Sequence, residues 1–276
     1  MNIIDAQVHI WGADTPQRPW PGQGHQPHRP HPFSMTDLLR EMDAAGVNRC
    51  VIVPPMWEGD RNDLALEAAR LQPDRFAVTG LMTVDSPSAR GSLAAWRRQP
   101  GMLGLRLVLT RPRYRILFEA GAFDWLWAEA EEAKLPIMLL VDMNQAPLLQ
   151  PIVRRHPGLK ITLDHLAVPR DTKDEAAFAG LDNVLALAQF PNVAVKLTAL
   201  PHFTADAYPY RRLHPTLLRV YDAFGPQRMF WGTDLTRLSC SYSEAVRMFT
   251  EEIPWLTNAD KEWIMGRGIS TWLDWK

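Results

Sequence analysis

Five short stretches carry side chains able to move protons or to grip an anion. In Asp5-Ala6-Gln7-Val8-His9 polar and aliphatic residues alternate, and the period of two in an extended strand predicts Asp5, Gln7 and His9 on one face. Arg106 stands between Leu105 and Leu107, Asp164-His165 closes an aliphatic run, Lys196 lies inside another, and Asp234 follows Trp231-Gly232-Thr233. An imidazole exchanges protons near neutral pH, and a carboxylate can take one from water. An unpaired guanidinium in an apolar strand is costly. Arg106 therefore needs either a neighbouring carboxylate such as Asp5 or a substrate carboxylate held bidentately. Lys196 poses the same problem, and an ion pair with Asp164 or Asp234 is the expected answer.

These residues need elements to carry them to one place. Strand-length runs bounded by Gly, Pro or Asp occur at Ile3–His9, Arg49–Val53, Phe76–Met82, Leu103–Leu109, Ile137–Val141, Lys160–Asp164, Val193–Leu197 and Met229–Trp231. Helical patterns separate them. Ser34-Met35-Thr36-Asp37 reads as a capping sequence, Gly46 as the stop of that helix, and Ser86-Pro87 as an N-cap followed by proline. A segment after Asp60 carries Leu64, Leu66, Ala68, Ala69 and Leu71. Further helices are expected at Phe123–Ala133, Ala146–His156, Ala176–Gln189, Tyr210–Phe224 and Tyr242–Glu251, with a last one over Ala259–Met265 capped by Asn258. Eight strand–helix units without an interrupting linker predict an α/β chain folded as a single (β/α)8 TIM barrel over residues 1–276, with a short C-terminal helical extension. In such a barrel the chemistry sits at the C-terminal ends of the strands, where each of these residues falls.

Composition narrows the function. The 276 residues are 46% hydrophobic and 22% charged, an ordinary globular balance, and the net charge of −1 gives no reason to expect nucleic acid or an anionic membrane as partner. Cys50 and Cys240 form no disulfide framework and no zinc-finger spacing, and a cytoplasmic location is expected. The N-terminus resembles the start of a strand, not a signal peptide. No dinucleotide fingerprint follows the first strand, and no P-loop or serine elbow is present.

The motifs also resemble a known family. Asp5-x-Gln7-x-His9-x-Trp11 is similar to the D-x-H-x-H opening of the amidohydrolase superfamily. Asp164-His165-Leu166-Ala167-x-Pro169 resembles its D-H-L-G-x-P strand end, and Phe230-Trp231-Gly232-Thr233-Asp234 its final M-W-G-S/T-D element. Gly104-Leu105-Arg106 and Pro73-Asp74-Arg75-Phe76 match the amidohydrolase-2 branch, which contains 2-pyrone-4,6-dicarboxylate lactonase and sugar-acid lactonases. The resemblance implies a hydrolase that opens a lactone or similar cyclic ester of an acidic small molecule. It makes Asp234 the base that activates water, His165 and His9 the groups that polarise the carbonyl, and Arg106 the holder of an acidic substituent. Gln7 stands where the family has the first histidine of its metal pair, and strand 5 has no histidine, so a binuclear centre is not expected. His9, His165 and Asp234 remain as ligands for one divalent ion, zinc or manganese, and the alternative is none. The same resemblance leaves open a non-oxidative decarboxylase or a lactone isomerase, while a ligand-binding barrel without catalysis is the reading from another class.

Loops should complete the site. Trp57, Glu58 and Arg61 after strand 2, and His202, Tyr208 and Tyr210 after strand 7, are candidates to line it, together with Gln7. Trp231, Trp255 and Trp263 are expected in the core. His25, His28 and His31 recur every three residues between strand 1 and helix 1, where a lid is expected and adventitious metal binding is the control. A homo-oligomer is compatible with all of this.

Overall fold

The computed structural model describes residues 1–21 and 26–276, so His25 lies outside the described residues. Eight strands pair in parallel in chain order: β1 Ile4–Val8, β2 Arg49–Ile52, β3 Phe76–Leu81, β4 Met102–Val108, β5 Ile137–Leu140, β6 Ile161–Leu163, β7 Val193–Leu197 and β8 Met229–Trp231. The circle closes between β8 and β1 through Asp234 N–H on Gln7 O, at 2.9 Å, and Thr233 N–H on Asp5 Oδ1, at 2.9 Å. Helices follow the strands in the order of a TIM barrel. No helix among the described residues is long and apolar enough to cross a membrane.

Two apolar layers hold the barrel. Between strands and helices lies a continuous core that includes Ile52, Phe76, Val78, Leu105, Leu107, Leu139, Val195 and Trp231. Inside, Ile4, Ala6, Val51, Val53, Ala77, Met138, Ala194 and Phe230 fill the lumen, and Ile269, Trp272, Leu273 and Trp275 from the C-terminus pack on them. The extension thus plugs the lumen beneath the catalytic end. Arg49 secures it, with its guanidinium carbon 3.7 Å from the Trp275 ring centroid.

Helix ends follow the expected chemistry where a cap is present. Ser34 and Asp37 form a capping box on the helix Met35–Ala45, and Gly46 ends it with φ +71°. Elsewhere the chain breaks more often than its periodicity suggests. Ala176–Gln189 divides around Gly180 into Asp174–Phe178, Leu181–Leu185 and a 3₁₀ turn, since glycine is a poor helix residue. Ser86-Pro87 starts only a 3₁₀ turn, and two helices arise that the pattern does not mark, Leu93–Arg97 and Pro112–Glu119. The last cap is Thr257, which pairs with Asp260 in a capping box and makes Asn258 the first helical residue. That extension runs on through a π turn at Trp263–Arg267 to the helix Gly268–Leu273. Trp231 is fully buried in the core, while Trp255 and Trp263 are only partly buried.

Candidate active site

Three strands turn sharply at their C-terminal ends. His165, Leu166 and Ala167 after β6, Ala199 after β7 and Asp234 after β8 all take positive φ, between 53° and 57°. Such backbone costs about 1 kcal/mol or more per residue outside glycine, and is found where the surroundings fix a side chain for use. Gly232 makes the last turn possible, because an added Cβ would lie 2.6 Å from Thr198 Cγ2 and 2.8 Å from Asp5 Oδ1.

Asp5 does not share a face with Gln7 and His9. β1 shifts register against β2 between Asp5 and Val8, and this irregularity breaks the alternation of two. Asp5 instead accepts from Thr233 N–H, Thr233 Oγ1–H and, at 2.8 Å, Tyr242 O–H. Burial pushes its carboxyl up to about 6 against these hydrogen bonds. It closes the seam between β8 and β1, and Arg106 does not pair with it.

Gln7 and His9 turn to the barrel mouth. His9 Nδ1 meets Val53 O at 2.5 Å, and its Nε2 lies 3.0 Å from Asp234 Oδ1. His165 Nε2 is 3.9 Å from Asp234 Oδ2. Burial alone would raise Asp234, but the adjoining His9, with His165 and His28 near, holds it well below the usual carboxylate range.

A chain of polar contacts runs below. Lys196 Nζ donates to Gln7 Oε1 at 3.0 Å and lies 2.9 Å from Asp164 Oδ1, while Arg106 Nε donates to Asp164 Oδ2 at 2.9 Å. With its oxygen on Lys196, Gln7 must present its N–H₂ to His165 Nε2, 3.1 Å away. His165 Nε2 is therefore the acceptor, and Nδ1 carries the proton toward Thr198 Oγ1 at 2.6 Å. Burial lowers His165 to about 4, so the ring is neutral at pH 7. The Nδ1 proton points away from the mouth, so His165 turns an acceptor nitrogen, not a donor, toward it. The expected pair of Lys196 with Asp164 is present. Arg106 is bound through Nε to Asp164, which leaves its two terminal nitrogens without a hydrogen-bond partner among the described residues.

A cavity of about 1020 Å³ opens above these residues and is lined by His9, Arg106, His165 and Asp234. Trp57 and Glu58 line it as expected, with Trp57 edge-on to His9 at 6.0 Å. Arg61 does not: it turns to Asp63, 3.1 Å away. His202, Tyr208 and Tyr210 also stay out of the wall. His202 backs Arg237 at 3.0 Å, and Tyr208 donates to Glu252. His28 reaches the rim, with Nδ1 3.0 Å from Thr236 Oγ1 and its ring 4.9 Å from Trp57, whereas His31 does not line the cavity; both are exposed. Sequence reasoning missed Thr198 and Arg237. The first lies two residues after Lys196 on the same strand face, and the second one 3₁₀ turn after Asp234.

Among the described residues no group of three or more His, Cys, Asp or Glu side chains is arranged to hold a metal ion. The reason is visible at His165, whose Nε2 lone pair accepts from Gln7. His9 and Asp234 do stand side by side, and the other nitrogen of each histidine is held by a protein oxygen, as in metal-ligating histidines. The set as it stands lacks its third donor.

The family model for amidohydrolases (Amidohydro_2) matches residues 4–267. The chain belongs to the amidohydrolase family. This amidohydrolase is an enzyme of the hydrolase class. It is 28% identical over 241 residues to an L-fucono-1,5-lactonase from Burkholderia ambifaria, covering 84% of this chain and 79% of that one. It is 23% identical over 234 residues to a 4-sulfomuconolactone hydrolase from Hydrogenophaga intermedia, covering 83% and 73%. Among solved structures, an amidohydrolase from Burkholderia multivorans with bound Zn superposes over the whole of both chains with a TM-score of 0.83 and 24% identity. That likeness is one of fold.

Proposed function

We propose that the whole chain, residues 1–276, acts as one unit that hydrolyses the ring ester of a lactone. The observation that carries this reading is Asp234, a buried carboxylate in the cavity wall with Oδ1 3.0 Å from His9 Nε2. The curated relatives named as lactone hydrolases support the choice of ester. Asp234, kept ionised by the adjoining His9, takes a proton from water as the water oxygen attacks the ring carbonyl. The terminal N–H groups of Arg106 face the developing oxyanion. The carbon–oxygen bond then breaks, and the proton held on Asp234 passes to the departing alkoxide. A carboxyl held to a low pKa returns its proton readily. The product is the open hydroxy acid. Gln7 and Lys196 keep His165 in one tautomer, with its proton on Nδ1, so that His165 does not compete as a proton donor at the mouth.

A screen of carboxylated and neutral lactones with a pH indicator, with and without chelator, tests the reading. Acid release from at least one lactone is the expected result, and release of carbon dioxide instead would favour the decarboxylase alternative. A solved relative carries zinc, which supports keeping one divalent ion, zinc or manganese, in the reading. His9 and Asp234 would hold it, with His165 released from Gln7. Elemental analysis should then find no more than one ion per chain. Gln7→His should raise zinc affinity about tenfold or more, by removing the competing amide and adding a nitrogen ligand. Two tightly held ions in the wild-type protein would contradict this.

A further inference from the structure

The charges that face the cavity do not all cancel within its wall. Arg111 sets two nitrogens on Asp60 Oδ1, each at 3.0 Å, and Arg113 Nε lies 2.5 Å from Asp85 Oδ2. Glu58 is taken by Arg18, and Arg106 by Asp164. Two cavity-lining guanidiniums, Arg170 and Arg237, have no carboxylate within ion-pair distance among the described residues. Arg170 is exposed and can rely on water. Arg237 cannot do so fully. It is half-buried; burial works most strongly against its charge, and nearby Asp234, which favours the charge, does not offset that burial. A guanidinium does not escape by losing its proton at any working pH, so the missing partner is an anion.

The side chain is also built to wait for one. Arg237 ends the one-turn 3₁₀ helix Leu235–Arg237, and its N–H donates to Asp234 O at 2.7 Å. Residues three apart on such a turn lie on the same side, so Arg237 and Asp234 face one cavity. One terminal nitrogen is 3.0 Å from His202 Nε2, and burial lowers His202, which leaves that ring neutral and able to accept. The guanidinium carbon lies 5.8 Å from the Phe203 ring centroid. The remaining nitrogens have no hydrogen-bond partner among the described residues. Arg170 adds a second positive charge at the same cavity that disfavours the first, and an anion bound at Arg237 would offset it.

We infer that Arg237, supported by Arg170 at the rim, is the subsite for an anionic oxygen group on the substrate, a carboxylate or its like, and that it makes the enzyme selective for acidic lactones. The word lactone rests on the function proposed above; the anion subsite does not. Arg106, expected in that role, already shares its charge with Asp164, whereas Arg237, three positions from the base, has no carboxylate within ion-pair distance among the described residues.

The test is calorimetric titration with tetrahydrofuran-2-carboxylate, a ring acid with no ester to open, and with tetrahydrofurfuryl alcohol, its neutral counterpart. The wild-type protein should prefer the carboxylate. Arg237→Gln should weaken the carboxylate about tenfold or more, a loss of about 1.4 kcal/mol, and leave the alcohol unchanged. Arg237→Lys should recover only part, because a point charge does not reproduce the fork. No carboxylate preference in the wild type, unchanged carboxylate binding in Arg237→Gln, or equal losses for both probes would each overturn the inference. If the preference depends on Arg237 but no lactone is opened, the hydrolase reading fails and the subsite stands. If lactones are opened with the same acidic-to-neutral ratio by both proteins, the subsite fails and the hydrolase reading stands.

Discussion

Asp234→Asn is expected to lower kcat/KM on any lactone substrate by roughly 10²- to 10⁴-fold, the range for a lost general base. The variant should fold normally. Asparagine tolerates the left-handed backbone found at this position, φ 53° and ψ 46°, better than any residue except glycine. The backbone bond from residue 234 N–H to Gln7 O does not involve the side chain. What disappears is the charge opposite His9 and the ability to accept a proton from water. Alanine is a poorer test, because it changes the preference of the strained turn as well. The measurement is steady-state hydrolysis, with thermal melting as the check on folding. Activity within a factor of about three of wild type would remove Asp234 from the mechanism.

Much of this arrangement is legible in the sequence because strands announce themselves by short aliphatic runs with defined ends. β7 and β8 match their expected limits, and the other six differ by one residue at one or both ends. Once eight units make a barrel, strand-end residues such as His9, His165 and Asp234 must converge. What stays hidden depends on geometry finer than that rule. The register shift in β1 separates Asp5 from Gln7, and no local residue type signals it. Arg106 plainly needs a partner, but choosing Asp164 over Asp5 requires knowing which side chains of β4, β6 and β7 meet across the lumen. Gln7 reads as a weakened metal ligand, whereas its working contact is a donated hydrogen bond, oriented from β7 by Lys196. Arg237 lies one 3₁₀ turn beyond Asp234, and no residue type in the sequence marks that turn.

The second large effect belongs beneath the site. Asp164 is fully buried between two cations, with Lys196 Nζ and Arg106 Nε each 2.9 Å from one of its oxygens. Burial would raise its pKa, but Lys196 and Arg106 bring it down to about 2. Asp164→Ala leaves two buried positive charges facing each other, and breaking such a pair from one side costs about 3–5 kcal/mol. For a chain of this size that is a fall in Tm of roughly 6–20 °C. Arg106→Ala is a milder change, because Lys196 still neutralises the carboxylate, yet it is not the structurally silent substitution that a purely substrate-facing arginine would allow. The pH dependence follows from the same pair. A carboxylate with folded pKa about 2, against an ordinary value of 3.8, adds stability that is present above pH 4 and is lost as pH falls toward 2. Denaturant unfolding of the wild type should show that loss, and Asp164→Ala should lack this part of it. Lys196→Met in the Asp164→Ala background should recover part of the stability, since it removes one of the two stranded charges. A loss below about 1 kcal/mol in Asp164→Ala would mean that water reaches the lumen and screens both cations. Gln7 would then have no firmly held ammonium to orient its amide, and the tautomer argued for His165 would fall with it.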